Sequence, residues 1–255
     1  MQLAKHISQG KVIYYHHGDE LLSVNENQYY RWLCFDEVVQ SVMLKRLPWR
    51  LTLPHQTALM LPLLFIQPNK VVELGLGGGN LARFLRHYLP RLQLYTIENS
   101  SAVVECFTKY FNPQMKDFNL QCSPALDWLY HHKSILADWT ICDIYHSKQT
   151  ISNSITLTKN ILKTCSETAV LSLNLPSPSN EEIDHFLQIL RQCYPKKEIY
   201  YFHIPNYLNI VVHIFPKNLT AATCKFDDRN NTIPIAILKR WQTFWHHGIQ
   251  QPRHD

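Results

Sequence analysis

The feature that most constrains the fold is a glycine-rich segment between an apolar run and an amphipathic run. Residues 71–74 are apolar apart from Glu73, residues 75–79 read Gly-Leu-Gly-Gly-Gly, and apolar side chains then recur at helical spacing from residue 81. A strand, a glycine turn and a helix in this order are typical of a Rossmann-like sheet, in which glycines let a ligand approach the main chain closely. The segment predicts a nucleotide-type site around Gly75, Gly77 and Gly78.

Patterns typical of strands and helices alternate from residue 70 onward. Alternation of this kind requires a parallel sheet with helices on both faces. The last two predicted strands, 198–204 and 209–215, are separated by four residues. They must form an antiparallel hairpin, because a parallel pair needs a crossover of about a dozen residues. The predicted fold class is therefore α/β, a Rossmann-type sheet with a terminal antiparallel hairpin.

Three short aromatic and β-branched segments precede this sheet, at 11–16, 20–25 and 29–35, and predict a small antiparallel β unit. Residues 41–53 have no clear period and are interpreted as a connector to a helix at 54–65. We expect an N-terminal β domain at 1–48, a nucleoside-binding catalytic domain at 49–218, and a loop and helix at 219–255. The aromatic residues of the last helix, Trp241, Phe244 and Trp245, suit either a partner interface or the core.

Composition narrows the class of protein. Seven cysteines without a Cys-x-x-Cys pair encode neither a disulfide framework nor a zinc knuckle, and the most apolar stretch, 59–66, is too short to span a bilayer. With no signal-like N-terminal segment, we expect a cytoplasmic protein with no membrane partner. The formal net charge is +5, but basic residues are scattered, which argues against a nucleic-acid partner. Adjacent histidine pairs point apart, so we expect no metal.

Three acids stand where strands are predicted to end. Glu73, just before the glycines, suits a ligand cation or amine better than a pyrophosphate. Glu98 lies about twenty residues beyond the glycines, where an acid can accept both ribose hydroxyls. Asp143 ends the fourth strand and suits a general base or an amine partner. Each has a plain alternative, a turn or a capped loop, but together they predict an adenosine-type ligand. Tyr145 and His146 are further candidates for proton handling.

These motifs resemble those of the spermidine synthase family, the polyamine aminopropyltransferases. The resemblance covers most of the chain to about residue 215 and includes Phe35-Asp36-Glu37-Val38-Val39-Gln40, similar to the family's Leu-Asp-Gly-x-x-Gln turn. It implies a homodimer that uses a small-molecule amine, with Asp143 taking the amine proton. The positions that would hold decarboxylated S-adenosylmethionine or methylthioadenosine are Gln40, His55, Gly75, Gly77 and Glu98.

Departures from the family pattern are equally specific. The family's Gly-Asp-Ala motif, whose acid faces adenine, is Ser123-Pro124-Ala125 here. Ser123 is kept among the cofactor-binding residues, and locally it is expected to be a helix N-cap with Pro124 in the first turn. The family's second acid after Asp143 is His146, and only the histidine of Tyr-His-Glu remains, as His55. The chain is therefore interpreted as a divergent member.

The favoured function is transfer of an aminopropyl group to an amine, in polyamine biosynthesis, from an S-adenosylmethionine-derived nucleoside. The co-substrate is decarboxylated S-adenosylmethionine or S-adenosylmethionine itself, and no metal takes part. Two alternatives stay open at this point. One is a methyltransferase on the same fold, and the other is a nucleoside-binding homologue without catalysis.

Overall fold

The computed structural model describes residues 8–18, 21–144, 150–217, 219 and 232–248. Tyr145, His146 and most of the stretch between the last strand and the last helix lie outside the described residues. Within them, no helix combines the length and the apolar composition needed to cross a membrane.

A four-stranded antiparallel sheet opens the protein. Its strands lie in chain order and are β1 (Lys11–His17), β2 (Leu21–Glu26), β3 (Tyr30–Phe35) and β4 (Val38–Leu44). Strand β4 corrects the expected connector beginning at residue 41. Ser41, Val42 and Met43 are all buried, so the strand lacks the alternation of polar and apolar residues that identifies a half-buried strand.

A seven-stranded sheet forms the body of the molecule, in the order β10-β11-β9-β8-β5-β6-β7. Its strands are β5 (Lys70–Leu74), β6 (Gln93–Glu98), β7 (Asn119–Cys122), β8 (Trp139–Cys142), β9 (Val170–Leu175), β10 (Lys197–His203) and β11 (Ile210–Pro216). Strands β5 to β9 pair in parallel, whereas β10 and β11 form the predicted antiparallel hairpin. From β5 the chain adds β6 and β7 on one side and then crosses to β8 on the other side, so the strand order reverses between β5 and β8. A parallel sheet offers a ligand-binding crevice at such a switch point, beyond the carboxyl ends of its strands.

Helices cover both faces of this sheet, as predicted. They are α1 (Pro54–Leu59), α2 (Asn80–Tyr88), α3 (Ser101–Cys106), α4 (Ala125–His131), α5 (Ile151–Thr164), α6 (Asn180–Cys193) and α7 (Ile235–Gly248). One core holds α1, α2 and α7, and a second, on the opposite face, holds α4, α5 and α6. Trp241 and Trp245 of α7 are 1% and 6% exposed within the first core, so of the two alternatives for these rings the structure shows the core.

A buried arginine ties the connector after β4 to the glycine loop and to the segment that follows α3. The Arg83 guanidinium donates to the main-chain oxygens of Pro48 (2.7 Å), Phe111 (2.9 Å) and Gly78, and to Oδ1 of Asn80 (3.0 Å). Burial lowers the pKa of Arg83 to about 9, so it remains charged at neutral pH. One cation thus binds carbonyls from three separate segments, which is the favourable arrangement for a buried charge.

A polar chain crosses the core beneath α1. Trp139 Nε1 donates to Ser172 Oγ (2.9 Å), Ser172 Oγ lies 2.8 Å from Nδ1 of His213, and Nε2 of His213 lies 3.1 Å from the Ala58 carbonyl oxygen. Burial lowers the pKa of His213 to about 3, so the ring is neutral. It therefore donates through Nε2 to Ala58 and accepts from Ser172. These bonds fix helix α1, which carries His55, against the sheet.

Candidate functional site

A cavity of about 1200 Å³ lies between the N-terminal sheet and the carboxyl ends of the parallel strands. Every described residue that the sequence analysis assigned to the site lines it. These are Gln40, His55, Glu73, Gly75, Gly77, Gly78, Glu98, Ser123 and Asp143. The N-terminal sheet thus closes over the crevice that the strand order predicts.

The loop glycines divide into two kinds. A Cβ on Gly75, whose φ is +92°, would lie 2.4 Å from the Asp143 main-chain oxygen, and a Cβ on Gly78 would lie 2.2 Å from Ser41 Oγ. Both glycines allow neighbouring segments to pack. Gly77 differs, because its φ is +50° and a Cβ there would have no protein atom nearer than Ser41 Cβ at 4.0 Å. Gly77 is therefore the glycine that leaves space for a ligand.

Glu98 is oriented by the main chain. Its Oε2 accepts from the Leu76 N–H (3.0 Å), and its Oε1 accepts from the Ser100 N–H (2.9 Å). A carboxylate has about four lone-pair sites, so two of them remain for the two hydroxyls of a ribose. The same side chain thereby shapes the glycine loop and faces the cavity.

Glu73 lies beneath the loop and is only 1% exposed. Thr96 Oγ1 donates to its Oε2 at 2.8 Å. Burial raises the pKa of Glu73 to about 8, with a smaller contribution from Asp143, against the opposing effects of Thr96 and Arg83. Glu73 is therefore largely protonated at neutral pH in this structure. A bound cation would favour its charged form.

Gln40 and His55 present buried polar atoms without a partner. Gln40 Nε2 and His55 Nδ1 are both fully covered and make no hydrogen bond, although both residues line the cavity. Burial lowers the pKa of His55, while the charge of Asp143 acts in the opposite direction. Unpaired buried polar groups are rare in native proteins, and each one needs an explanation. Because both atoms are covered by protein, a ligand would become their partner only after a rotation of the side chain.

Gln56 follows His55 in sequence, but its side-chain oxygen has hydrogen-bond partners. Its Oε1 accepts from the main-chain N–H groups of Thr52 and Leu53, both at 3.1 Å, and it caps the start of α1. At this position, where the family has an acid, the side chain stabilises the helix that carries His55.

Asp143 is held by the amide of Asn174, which is held in turn by that of Asn209; sequence reasoning missed both residues. Asn174 Nδ2 donates to Asp143 Oδ1 at 2.7 Å, and Asn209 Nδ2 donates to Asn174 Oδ1 at 3.0 Å. Both asparagines line the cavity. One oxygen of Asp143 is thus engaged and the other is available to a substrate. The sequence does contain a signal for Asn174, because it is a polar residue near the carboxyl end of a mostly apolar strand.

Ser123 lines the cavity at the end of β7, but the expectation that it caps a helix is wrong. Helix α4 begins at Ala125 with Pro124 in the N-cap position, and the Ser123 side chain makes no cap bond. The first helical bond runs from the Trp128 N–H to the Pro124 oxygen (3.0 Å), so Ser123 lies one residue outside the helix. Asp127, in the first turn of α4, also lines the cavity and supplies a carboxylate that the sequence analysis missed.

The cavity lining is rich in carboxyl groups, of which only the buried Glu73 is largely neutral. Four carboxyl side chains line it, those of Glu73, Glu98, Asp127 and Asp143, whereas its lining among the described residues includes no lysine or arginine. The chain as a whole has a formal charge of +5. The cavity is therefore suited to a cationic ligand.

A metal site requires several ligating side chains close together. Within the described ranges, no three histidine, cysteine, aspartate or glutamate side chains lie together as a metal site would require.

Comparison with known proteins gives matches at the level of the fold, not of the sequence. No family model matches the chain, and no curated protein matches its sequence. Solved structures do match. A probable spermidine synthase from Corynebacterium glutamicum ATCC 13032 has a TM-score of 0.67 at 14% identity, over 95% of this chain and 96% of that one. A spermidine synthase in complex with the transition state analogue AdoDATO has a TM-score of 0.64 at 15% identity, over 90% and 84% of the two chains.

A third match belongs to a different group of transferases. Human methyltransferase-like protein 13, in complex with SAH, has a TM-score of 0.55 at 15% identity, over 80% of this chain and 96% of that one. Together these likenesses confirm the predicted fold, which this chain shares with the spermidine synthases and with the methyltransferase-like protein.

Proposed function

We propose that this protein binds decarboxylated S-adenosylmethionine and transfers its aminopropyl group to an amine. In this arrangement the adenosine lies over β5, β6 and β7, with its ribose hydroxyls on Glu98 and its closest main-chain contact at Gly77. Gln40 and His55, after rotation of their side chains, gain hydrogen-bond partners from the ligand.

The observation that carries the proposal is the charge of the cavity. A sulfonium donor is a cation, and the decarboxylated donor bears a second positive charge on its terminal amine. The carboxylates of Glu98, Asp127 and Asp143 suit both charges, and a cation bound near Glu73 would favour the charged form of that fourth carboxyl group. The carboxylate of S-adenosylmethionine would meet no lysine or arginine among the described lining residues, which favours the decarboxylated donor.

Asp143 supplies the chemistry that the reaction requires. The amine must lose a proton before its nitrogen can attack the carbon beside the sulfonium, and a positioned carboxylate can accept that proton. Asn174 holds one oxygen of Asp143 at 2.7 Å, which directs the other oxygen toward the acceptor. The remainder of catalysis is alignment of nitrogen, carbon and sulfur.

The proposal is tested by calorimetry followed by product analysis. We expect decarboxylated S-adenosylmethionine to bind about tenfold or more tightly than S-adenosylmethionine, a difference of about 1.4 kcal/mol. Incubation with decarboxylated donor and a panel of amines should release methylthioadenosine and an aminopropylated amine. Methyl transfer from S-adenosylmethionine, without any aminopropylated product, would replace the proposal with a methyltransferase. Tight nucleoside binding without turnover of either donor would indicate a binding protein.

A further inference from the structure

The strand order divides the cavity into two halves about β5. The half over β5, β6 and β7 contains the glycine loop, Glu98 and Ser123. The other half, over β8, β9 and β11, is here called the acceptor half. The residues of β8, β9, β11 and their following segments that line it are Asp143, Ile144, Leu157, Asn174, Pro176, Ser177, Tyr207 and Asn209.

The acceptor half contains a single carboxylate. Asp143 is its only acid among the described lining residues. The segments that follow β8, β9 and β10 are residues 144–150, 176–179 and 204–209, and their sequences contain no aspartate or glutamate. The amides of Asn174 and Asn209 are neutral and engage each other and Asp143. With its described lining residues, this half can therefore pair one positive charge, beside Asp143.

Besides the two amides and Ser177, this half is lined by apolar side chains and one tyrosine, and it is partly open. Leu157 and Pro176 are half-buried, and the Tyr207 side chain is 42% exposed at the hairpin turn. The Ser177 N–H donates to the Leu208 main-chain oxygen at 3.1 Å, which ties the end of β9 to this turn. The Tyr207 ring and the Pro176 and Leu157 side chains line the same cavity, and apolar groups that line a cavity are stabilised when an apolar part of a ligand covers them.

We propose that the acceptor has one basic nitrogen and an apolar body, such as an alkyl or aryl monoamine. This inference rests on the proposed function. The nitrogen lies at Asp143 and the body covers Tyr207, Pro176 and Leu157. A diamine would instead place its far ammonium against neutral, apolar groups, where desolvation of the charge is uncompensated.

The reaction balances with the groups already named. The acceptor ammonium gives a proton to Asp143, and the lone pair of the resulting amine forms a bond to the carbon beside the sulfonium. The carbon–sulfur bond breaks with its electron pair going to sulfur. The products are a neutral thioether, methylthioadenosine, and a secondary ammonium that carries the aminopropyl group.

Two amines of equal length separate the acceptor classes. With the full-length protein and decarboxylated S-adenosylmethionine, 1-aminopentane and 1,5-diaminopentane differ by one ammonium group. Methylthioadenosine release reports turnover with either amine, and mass spectrometry identifies the product. We expect kcat/KM for 1-aminopentane to exceed that for the diamine about tenfold or more. Equal values, or a preference for the diamine, would overturn the inference and leave the proposed function intact. Absence of methylthioadenosine with every amine would refute both.

A charge introduced into the apolar wall provides a second, independent test. Tyr207→Asp places a carboxylate at the exposed turn, and Tyr207→Asn is the matched neutral control that loses the same ring. We expect Tyr207→Asp to raise the diamine-to-monoamine ratio of kcat/KM about tenfold relative to Tyr207→Asn. Equal ratios in the two variants would show that the acceptor body does not lie on Tyr207 and would overturn the assignment.

Discussion

Replacement of Glu98 by glutamine removes a charge and also reverses one hydrogen bond. Both carboxylate oxygens accept main-chain N–H groups, from Leu76 at 3.0 Å and from Ser100 at 2.9 Å. A glutamine can accept at its oxygen, but its NH₂ group then faces the other N–H, donor against donor. An unsatisfied donor of this kind costs about 1 to 3 kcal/mol, so we expect the melting temperature to fall.

The same substitution should also weaken nucleoside binding. A ribose hydroxyl bonded to a charged group is stabilised by about 1.5 to 3 kcal/mol, and two hydroxyls share this carboxylate in the proposed complex. We expect Glu98→Gln to weaken methylthioadenosine binding by about 2 to 3 kcal/mol, or roughly 30- to 150-fold. Methylthioadenosine is the suitable probe because it lacks the charged tail, so the loss reports on the nucleoside alone.

Calorimetric titration at a temperature well below melting measures this loss. The control is Glu105→Gln, which removes the same charge from an exposed position on α3 outside the cavity. We expect the control to bind like the wild type. A folded Glu98→Gln protein with unchanged affinity would refute the assignment of Glu98 to the ribose.

Three further predictions concern the loop, the base and the buried acid. Gly77→Val should abolish nucleoside binding while the protein stays folded, because the branched side chain enters the cavity at a φ of +50°; normal titration would mean that the loop is only a turn. Asp143→Asn should reduce turnover by about two to four orders of magnitude with nucleoside affinity nearly unchanged, as measured by steady-state kinetics and calorimetry. The pKa of Glu73 is about 8 in the folded protein against an ordinary 4.5, so the folded state binds this proton more tightly. Stability from Glu73 is therefore complete below about pH 4.5 and is lost as pH rises to about 8; urea unfolding should show this decline relative to Glu73→Gln, and parallel pH profiles would contradict it.

Much of the fold could be predicted because its signals are local. The glycine turn, the alternating periods and the four-residue gap before the last strand each depend on neighbours in sequence. The strands and helices predicted from residue 70 onward are present, whereas the single helix expected at 54–65 is an α-helix that ends at Leu59 and a 3-10 helix at Leu61–Leu64. Strand β4 lacked such a signal. Its register against β3 shifts between Leu33 and Cys34, and three successive buried residues hide the two-residue period.

The candidate site was predictable where residues lie at strand ends, and less so where contacts are distant in sequence. Glu98 and Asp143 stand out because acids rarely follow apolar runs without a role. The bond from Asn174 to Asp143 joins residues on separate strands, and the bond from Asn209 reaches across from the hairpin. A single sequence carries no record of such pairs. Whether Ser123 caps a helix likewise depended on the conformation of Pro124, which is extended rather than helical.

The buried guanidinium of Arg83 has a kinetic consequence. To move the connector that follows β4 away from α2, the protein would have to break the hydrogen bond from Arg83 to Pro48 and leave part of a buried charge uncovered. Opening along this seam is therefore a costly route for a ligand. We expect the nucleoside pocket to be preformed and association to follow a single exponential whose rate rises linearly with ligand concentration, as in binding to a rigid receptor. An observed association rate that levels off at high ligand concentration would instead indicate a slow conformational step coupled to binding.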